Sequence, residues 1–308
     1  MPFQELRRTL AEAGALIATT RAPGTRGRFE SSETRPATLI EDSTLIARPV
    51  GAPEPCPEPL AFLDGIQRHQ VVAYVGAAPI VGATVAAGVR EREGRRLRTV
   101  VALREHLVLG RSSALERLTR IPDGHRVLEL PDEGPSHPIR DQDAAVAAID
   151  DARGALEVRA GERFRRRSEG WLIVDGSLAE SAAWASDPRM LAVATSHATL
   201  SFEGQDLVTY LHLPEAYRSS VFKPASRRFA PVYAWGLRLR AWMGRDLFFG
   251  HVRVEAAPGE TTLARADQLS RWVLAERTPV CSGDSGWDRL LYGIHSVGEY
   301  LRAVIAEP

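Results

Sequence analysis

Cysteine is scarce in this chain, and the two present, Cys56 and Cys281, stand far apart in segments that carry proline or glycine. No paired-cysteine spacing exists, which argues against a structural zinc site. An excess of either charge is lacking too, since 39 basic and 39 acidic residues cancel. Global charge therefore gives no support for a polyanionic partner, and any such case rests on local clusters. No apolar run reaches the roughly 18 residues that read as a membrane span. The stretch MPFQELRRTLAEAGALIATTRA alternates charge with apolar residues and lacks the basic start, apolar block and cleavage site of a signal peptide. A cytoplasmic protein with no membrane attachment is expected. Lysine is almost absent, Lys223 being the only one, so the cationic clusters are arginine clusters.

What is present reads as α/β. A chain of 308 residues can bury a large core as one elaborated domain or two. Leu6, Leu10, Ala13 and Leu16 recur at three or four, which predicts an amphipathic helix over residues 1 to about 20. Residues 21 to 59, rich in Pro, Gly, Thr and Ser with a few brief β-type runs, read as an irregular connector. From Leu60 the pattern turns to β: LAFLDG, then QVVAYVGAAPIVGATVAAGVR as a hairpin, then RRLRTVVALREHLVLG, together an antiparallel meander. Residues 111 to 140 carry Pro, Gly and charge throughout and read as a helix or loop excursion. In residues 141 to 166 Val146, Ile149, Ala152, Leu156 and Ala160 mark a strong helix that leads into the strand GWLIVDGSL. Further strands are expected in MLAVATSHATL, VYAWGLRLRAW and LFFGHVRVEA, and a closing helix in DRLLYGIHSVGEYLRAVI. The order predicts a mixed sheet flanked by helices over residues 60–308, preceded by the helix and connector of residues 1–59.

Two apolar runs end alike, LAFLDG at 60–65 and LIVDG at 172–176. Asp-Gly is ordinary turn chemistry, because glycine accepts φ > 0 and aspartate bonds its own backbone. Two such strand ends in one sheet would also place Asp64 and Asp175 together. Close carboxylates push one pKa up strongly unless cations neutralise them. Oxygen ligands suit Mg²⁺ or Mn²⁺, and two ions about 3.5–4 Å apart can clamp the attacking and leaving oxygens of a phosphodiester. The helix before GWLIVDGSL offers a third acid in Glu157, although spacing alone favours a surface glutamate paired with Arg153. Glu162 and Asp151 are rivals on that helix. His295 sits on a mostly apolar helix, where a lone histidine is commonly structural; Glu299, one turn on, faces the same way.

In order along the chain, LDG at 63–65, R...LE within 153–157, VDGSL at 174–178, FGHVRVE at 249–255 and LLYGIH at 290–295 resemble the NurA nucleases from about residue 60 to 303. The resemblance implies an RNase H-like core, a toroidal homodimer, Mn²⁺- or Mg²⁺-dependent cleavage of DNA by two ions, and partnership with a HerA-type hexameric ATPase in end resection. It implies further that Asp64, Glu157 and Asp175 hold the metals, while His295 ligates one or assists proton transfer. The sequence departs from the pattern where many relatives carry a lysine: AVATSH puts Thr195 there and keeps only His197. Arg218 and Lys223 are the candidate substitutes.

Two arginine clusters gain meaning beside such a site. Arg163, Arg165 and Arg166 lie between Glu157 and Asp175, where they would track phosphates without reading sequence; Arg218 and Lys223 belong to a second cluster. Tyr210, Tyr217, Phe222 and Phe229 are interspersed with the second cluster and read either as base-stacking platforms or as core. Two other readings compete: a NurA-like adaptor with weak or no turnover, and an antiviral defence nuclease of the same chemistry.

Overall fold

The structure, a computed structural model, describes residues 33–118, 121, 123–196, 199–225, 230–279 and 286–305. The helix expected over residues 1 to 20 and His197 lie outside them. The chain forms two compact units: the described residues of Pro59–Leu172 with Gly293–Pro308, and those of Met1–Glu58 with Ile173–Tyr292. For brevity these are the Asp64 unit and the Asp175 unit.

The Asp64 unit is built on the expected meander. Strands β1 (Leu60–Val75), β2 (Ala78–Glu93) and β3 (Arg96–Arg111) pair antiparallel through two-residue connections. Gly76 and Gly94, with φ of 62° and 61°, supply the left-handed backbone that such tight hairpins need. The excursion after β3 holds a strand that the sequence pattern did not reveal, β4 (His125–Leu130), which runs parallel to β3. Its HRVLEL is mostly exposed, so no clean alternation marks it.

Helix α1 (Pro138–Arg165) covers one face of this sheet, burying Ala145, Ile149, Ala152, Leu156, Ala160 and Phe164 at helical spacing. It starts three residues earlier than expected because Pro138 suits a first helical turn and His137 caps it. Its first turn is tied to the end of β3: Arg111 donates through Nε and Nη2 to Asp141, both at 2.9 Å, and Ser136 Oγ adds a bond of 2.8 Å. Burial alone would raise the Asp141 pKa, but the Arg111 guanidinium, Ser136 and the His137 N–H hold it below the usual carboxylate range.

In the Asp175 unit the strands lie in the order Thr38–Leu39, Phe222–Lys223, Tyr233–Arg238, His251–Ala256, Met190–Ala194, Trp171–Asp175. The chain enters the unit inside the last of these, β5 (Trp171–Asp175). It continues through β6 (Met190–Ala194), β7 (Tyr233–Arg238) and β8 (His251–Ala256), the last antiparallel to both β7 and β6. Part of the stretch read as a connector is drawn into this unit, since Ala47–Pro49 pairs with Tyr217–Ser219 and Thr38–Leu39 with Phe222–Lys223. Helix α2 (Glu260–Ala275) was not anticipated, although Ala266, Leu269 and Val273 recur at three or four and are buried. It seals the core by giving fully buried Trp235 its partner, Nε1 donating to Ser270 Oγ at 2.8 Å.

The closing helix, α3 (Tyr292–Ile305), is as expected. Its residues from Gly293 onward belong to the Asp64 unit, where Arg90 of β2 donates to Ser296 O and Oγ at 3.2 and 2.7 Å. Among the described residues, no helix is long and apolar enough to cross a membrane.

Candidate carboxylate site

Asp64 does not end its strand. β1 runs on to Val75, and its register with β2 is unbroken from Ala61 opposite Glu91 to Val71 opposite Val81. The apolar run stops at Asp64 because burial stops: Leu60 to Leu63 are buried, while the residues beyond lie half-buried or exposed. The Asp-Gly pair marks a change of environment here rather than a turn.

Consecutive residues of a strand face opposite sides, and β1 uses both. Asp64 faces α3, whose Gly298 lies so close that a Cβ there would stand 2.9 Å from Asp64 Oδ2. The other oxygen, Oδ1, accepts from the Gly65 N–H at 2.8 Å. Gly65 faces α1, and a Cβ on it would overlap the Glu157 carboxylate. Two glycines thus clear the space for two acids: Gly298 for Asp64, Gly65 for Glu157.

Glu157 is only 8% exposed, whereas its rivals Asp151 and Glu162 point to solvent. Helical spacing explains the difference, since Glu157 follows Leu156 on the sheet-facing side with Ala160 and Gly161. Arg153, one turn earlier, forms an ion pair with Glu157 Oε1. Both sequence readings of Glu157 therefore bear on one residue: it makes the i,i+4 pair, and it lies against β1 at Gly65, one residue along from Asp64 and on the opposite face.

Asp175 does end a strand. It is the last residue of β5, exposed after four buried positions, and Gly176 leaves with φ of 104°. The Gly176 N–H donates to Val193 O on β6 at 3.2 Å. His295 is half-buried on α3, three residues before Gly298 and so on the same side of the helix. Glu299 is exposed and paired with Arg302.

The basic candidates divide sharply. Arg163, Arg166 and Lys223 are exposed, and Arg165 is half-buried with Nη1 on the Ser168 and Gly170 carbonyls. Arg218 is a correction: it is 3% exposed, with Nη1 and Nη2 on Glu41 at 2.7 and 2.8 Å and Nε on Asp267 at 2.5 Å. A guanidinium so engaged and so buried ties the Asp175 unit together and is not presented to solvent as a backbone-tracking cation would be. The cation near Thr195 is instead Arg289, whose Nη1 donates to the Thr195 carbonyl at 2.6 Å. No sequence motif singled it out.

Of the aromatics, Tyr210 and Phe222 pack with Phe202 in a buried cluster, and burial pushes the Tyr210 hydroxyl up to about 12. They are core. Tyr217 is half-buried in its strand, and Phe229 lies outside the described residues. A cleft of about 400 Å³ on the Asp64 unit, lined by Glu91, Arg98, Phe164 and Arg167 among others, includes none of the four proposed site residues.

No family model and no curated protein matches the sequence. Among solved structures the chain is similar to the NurA nuclease from Sulfolobus solfataricus, with a TM-score of 0.52 and 9% identity over 81% of this chain and 80% of that one. The fold is the NurA fold. At that identity the likeness concerns the path of the chain: the mixed sheet flanked by helices expected from the sequence is the architecture the two share. Carboxylate oxygens are the donors that divalent ions such as Mg²⁺ and Mn²⁺ prefer, and the notches at Gly65 and Gly298 accommodate two carboxylates. Among the described residues, no group of three or more His, Cys, Asp or Glu side chains is gathered to hold a metal.

Proposed function

We propose that this protein is a divalent-metal-dependent deoxyribonuclease of the NurA type. One observation carries the reading: on a NurA-like fold, the Glu157 carboxylate occupies the place of a side chain at Gly65, the residue after Asp64. A glutamate buried against a backbone glycine, one residue along β1 from Asp64 and on the opposite face, is a costly arrangement that core packing alone does not call for. Asp64, Glu157, Asp175 and His295 are the residues assigned to the centre, on the strength of the ordered resemblance.

Mn²⁺ or Mg²⁺, as two ions, would supply Lewis-acid stabilisation of the phosphodiester oxygens and an activated water. The chain's own contribution is positioning. β1 fixes the Asp64 backbone, the Gly65 N–H orients its carboxylate, and the missing side chain of Gly298 leaves that carboxylate room. Arg153 neutralises Glu157 and holds it over Gly65. His295, on the helix face that meets Asp64, is assigned proton transfer or a ligand role. Exposed Arg163 and Arg166, with Arg165 and Lys223, are assigned to the DNA backbone, a contact that positions without specifying sequence. The partners belonging to this reading are DNA, a second copy of the chain, and a HerA-type hexameric ATPase in end resection and double-strand break repair in the cytoplasm.

A second reading, a translocase adaptor with little turnover, is favoured by Thr195 standing where relatives carry lysine. Arg289 at the Thr195 carbonyl counts against it, since it returns a cation to that strand end. End-labelled single- and double-stranded DNA, incubated with Mn²⁺, Mg²⁺ or EDTA and with or without a HerA-type partner, separates the two. Metal-dependent cleavage is expected, falling more than about 100-fold in D64A and D175A, beyond what outer-shell partners cost. Wild-type rates in either variant would sink the site assignment.

A further inference from the structure

We propose that Glu255 positions Asp175. This rests on the nuclease reading and extends it to a residue with no role so far. Glu255 lies on β8 and is 1% exposed, an expensive place for a carboxylate unless every lone pair is met. It is met from two sides. Arg253, two residues earlier on the same face of β8, donates to Oε1 through Nε at 3.0 Å and Nη2 at 2.9 Å. Oε2 accepts from Ser177 Oγ at 2.7 Å and from the Leu178 N–H at 3.0 Å.

Those two donors are the second and third residues after Asp175. β6 lies between β8 and β5, and the residue opposite Glu255 on it is Ala192, whose methyl leaves the longer side chain room to reach across. Ser177 is itself fixed, because its hydroxyl also accepts from the Ala179 N–H at 3.2 Å and opens the short 3-10 turn Leu178–Glu180. Gly176, between them, has φ of 104° and by itself leaves the turn pliable. The strand holds Asp175 from one side, and Glu255 anchors the backbone on the other. An exposed aspartate at a strand end thereby acquires one direction.

The residue acts through the turn and is not expected to touch substrate, so the test reads metal binding as well as turnover. In wild type, E255A, E255Q and S177A, the Mn²⁺ concentration giving half of the full thermal-stability shift is measured together with kcat and KM on single-stranded DNA. E255A is expected to raise that concentration about 10- to 100-fold, the usual effect of losing an outer-shell partner, and to lower kcat with KM for DNA unchanged. E255Q keeps an acceptor for Ser177 and Leu178 and is expected to recover most of the loss. S177A removes one tie and is expected to move the midpoint by a few-fold.

A lower melting temperature in E255A with an unmoved Mn²⁺ midpoint and kcat would make Glu255 merely structural and overturn the proposal. Should E255A not fold, an unmoved midpoint in S177A overturns it equally. Failure of the nuclease reading looks different: wild type itself then shows neither a Mn²⁺-dependent shift nor cleavage, and both proposals fall.

Discussion

At Asp64–Gly65 the strand Leu60–Val75 runs on through extended backbone, and what matters about the glycine is its missing side chain, whose place the Glu157 carboxylate takes. At Asp175–Gly176 the strand stops, and what matters about the glycine is its backbone, at φ of 104° with open space where a Cβ would stand. One dipeptide serves two physical purposes. The difference teaches that a glycine beside a candidate ligand has to be read by what surrounds it, since close approach and positive φ leave the same letter in the sequence.

Alanine at each glycine separates the two purposes. G65A forces the Glu157 carboxylate off β1, and displacing one member of such a site by about 1 Å costs on the order of 100-fold in rate, so Mn²⁺-dependent cleavage should fall that far while the circular dichroism spectrum stays native. G176A meets no steric obstacle and should cost about 1–2 kcal/mol of backbone strain, read as a lower urea midpoint with the m-value unchanged. The comparison breaks if G65A costs stability alone and G176A abolishes cleavage without lowering the midpoint.

The smallest effect concerns how Glu157 is delivered. Its helix is tied to β3 by Asp141, whose pKa is held below its unfolded value of about 3.9. A depressed carboxyl pKa contributes stability that is present above the unfolded value and lost as pH falls through the folded one. Urea midpoints of wild type and D141N should therefore differ at pH 7 and converge below about pH 4. A gap between the two that is unchanged at low pH would mean that Arg111 and Asp141 do not tie the helix in this way.

Several features were legible in the residues themselves. Val146, Ile149, Ala152, Leu156 and Ala160 announced α1, and the β-rich run after Leu60 announced the meander, because burial on one face imposes a period on the sequence. Strand β4 was hidden because His125, Arg126 and Val127 are exposed and impose no such period. Arg218 misled for the opposite reason: an arginine beside other arginines looks like a solvated face until Glu41 and Asp267, distant in sequence, are seen to enclose it.

By itself, then, the sequence determined the meander after Leu60, α1 and α3, the Asp175 turn, and the set of acids from which a site can be drawn. Tertiary structure alone decided that β1 continues past Asp64, that Glu157 rather than Asp151 or Glu162 lies against it, and that Glu255 reaches the Asp175 turn. The physical reason is range. Periodicity and turn chemistry act between residues a few positions apart, whereas the Gly65 notch is filled by a side chain 92 positions later and Glu255 meets Leu178 across 77, distances over which only packing can say who meets whom.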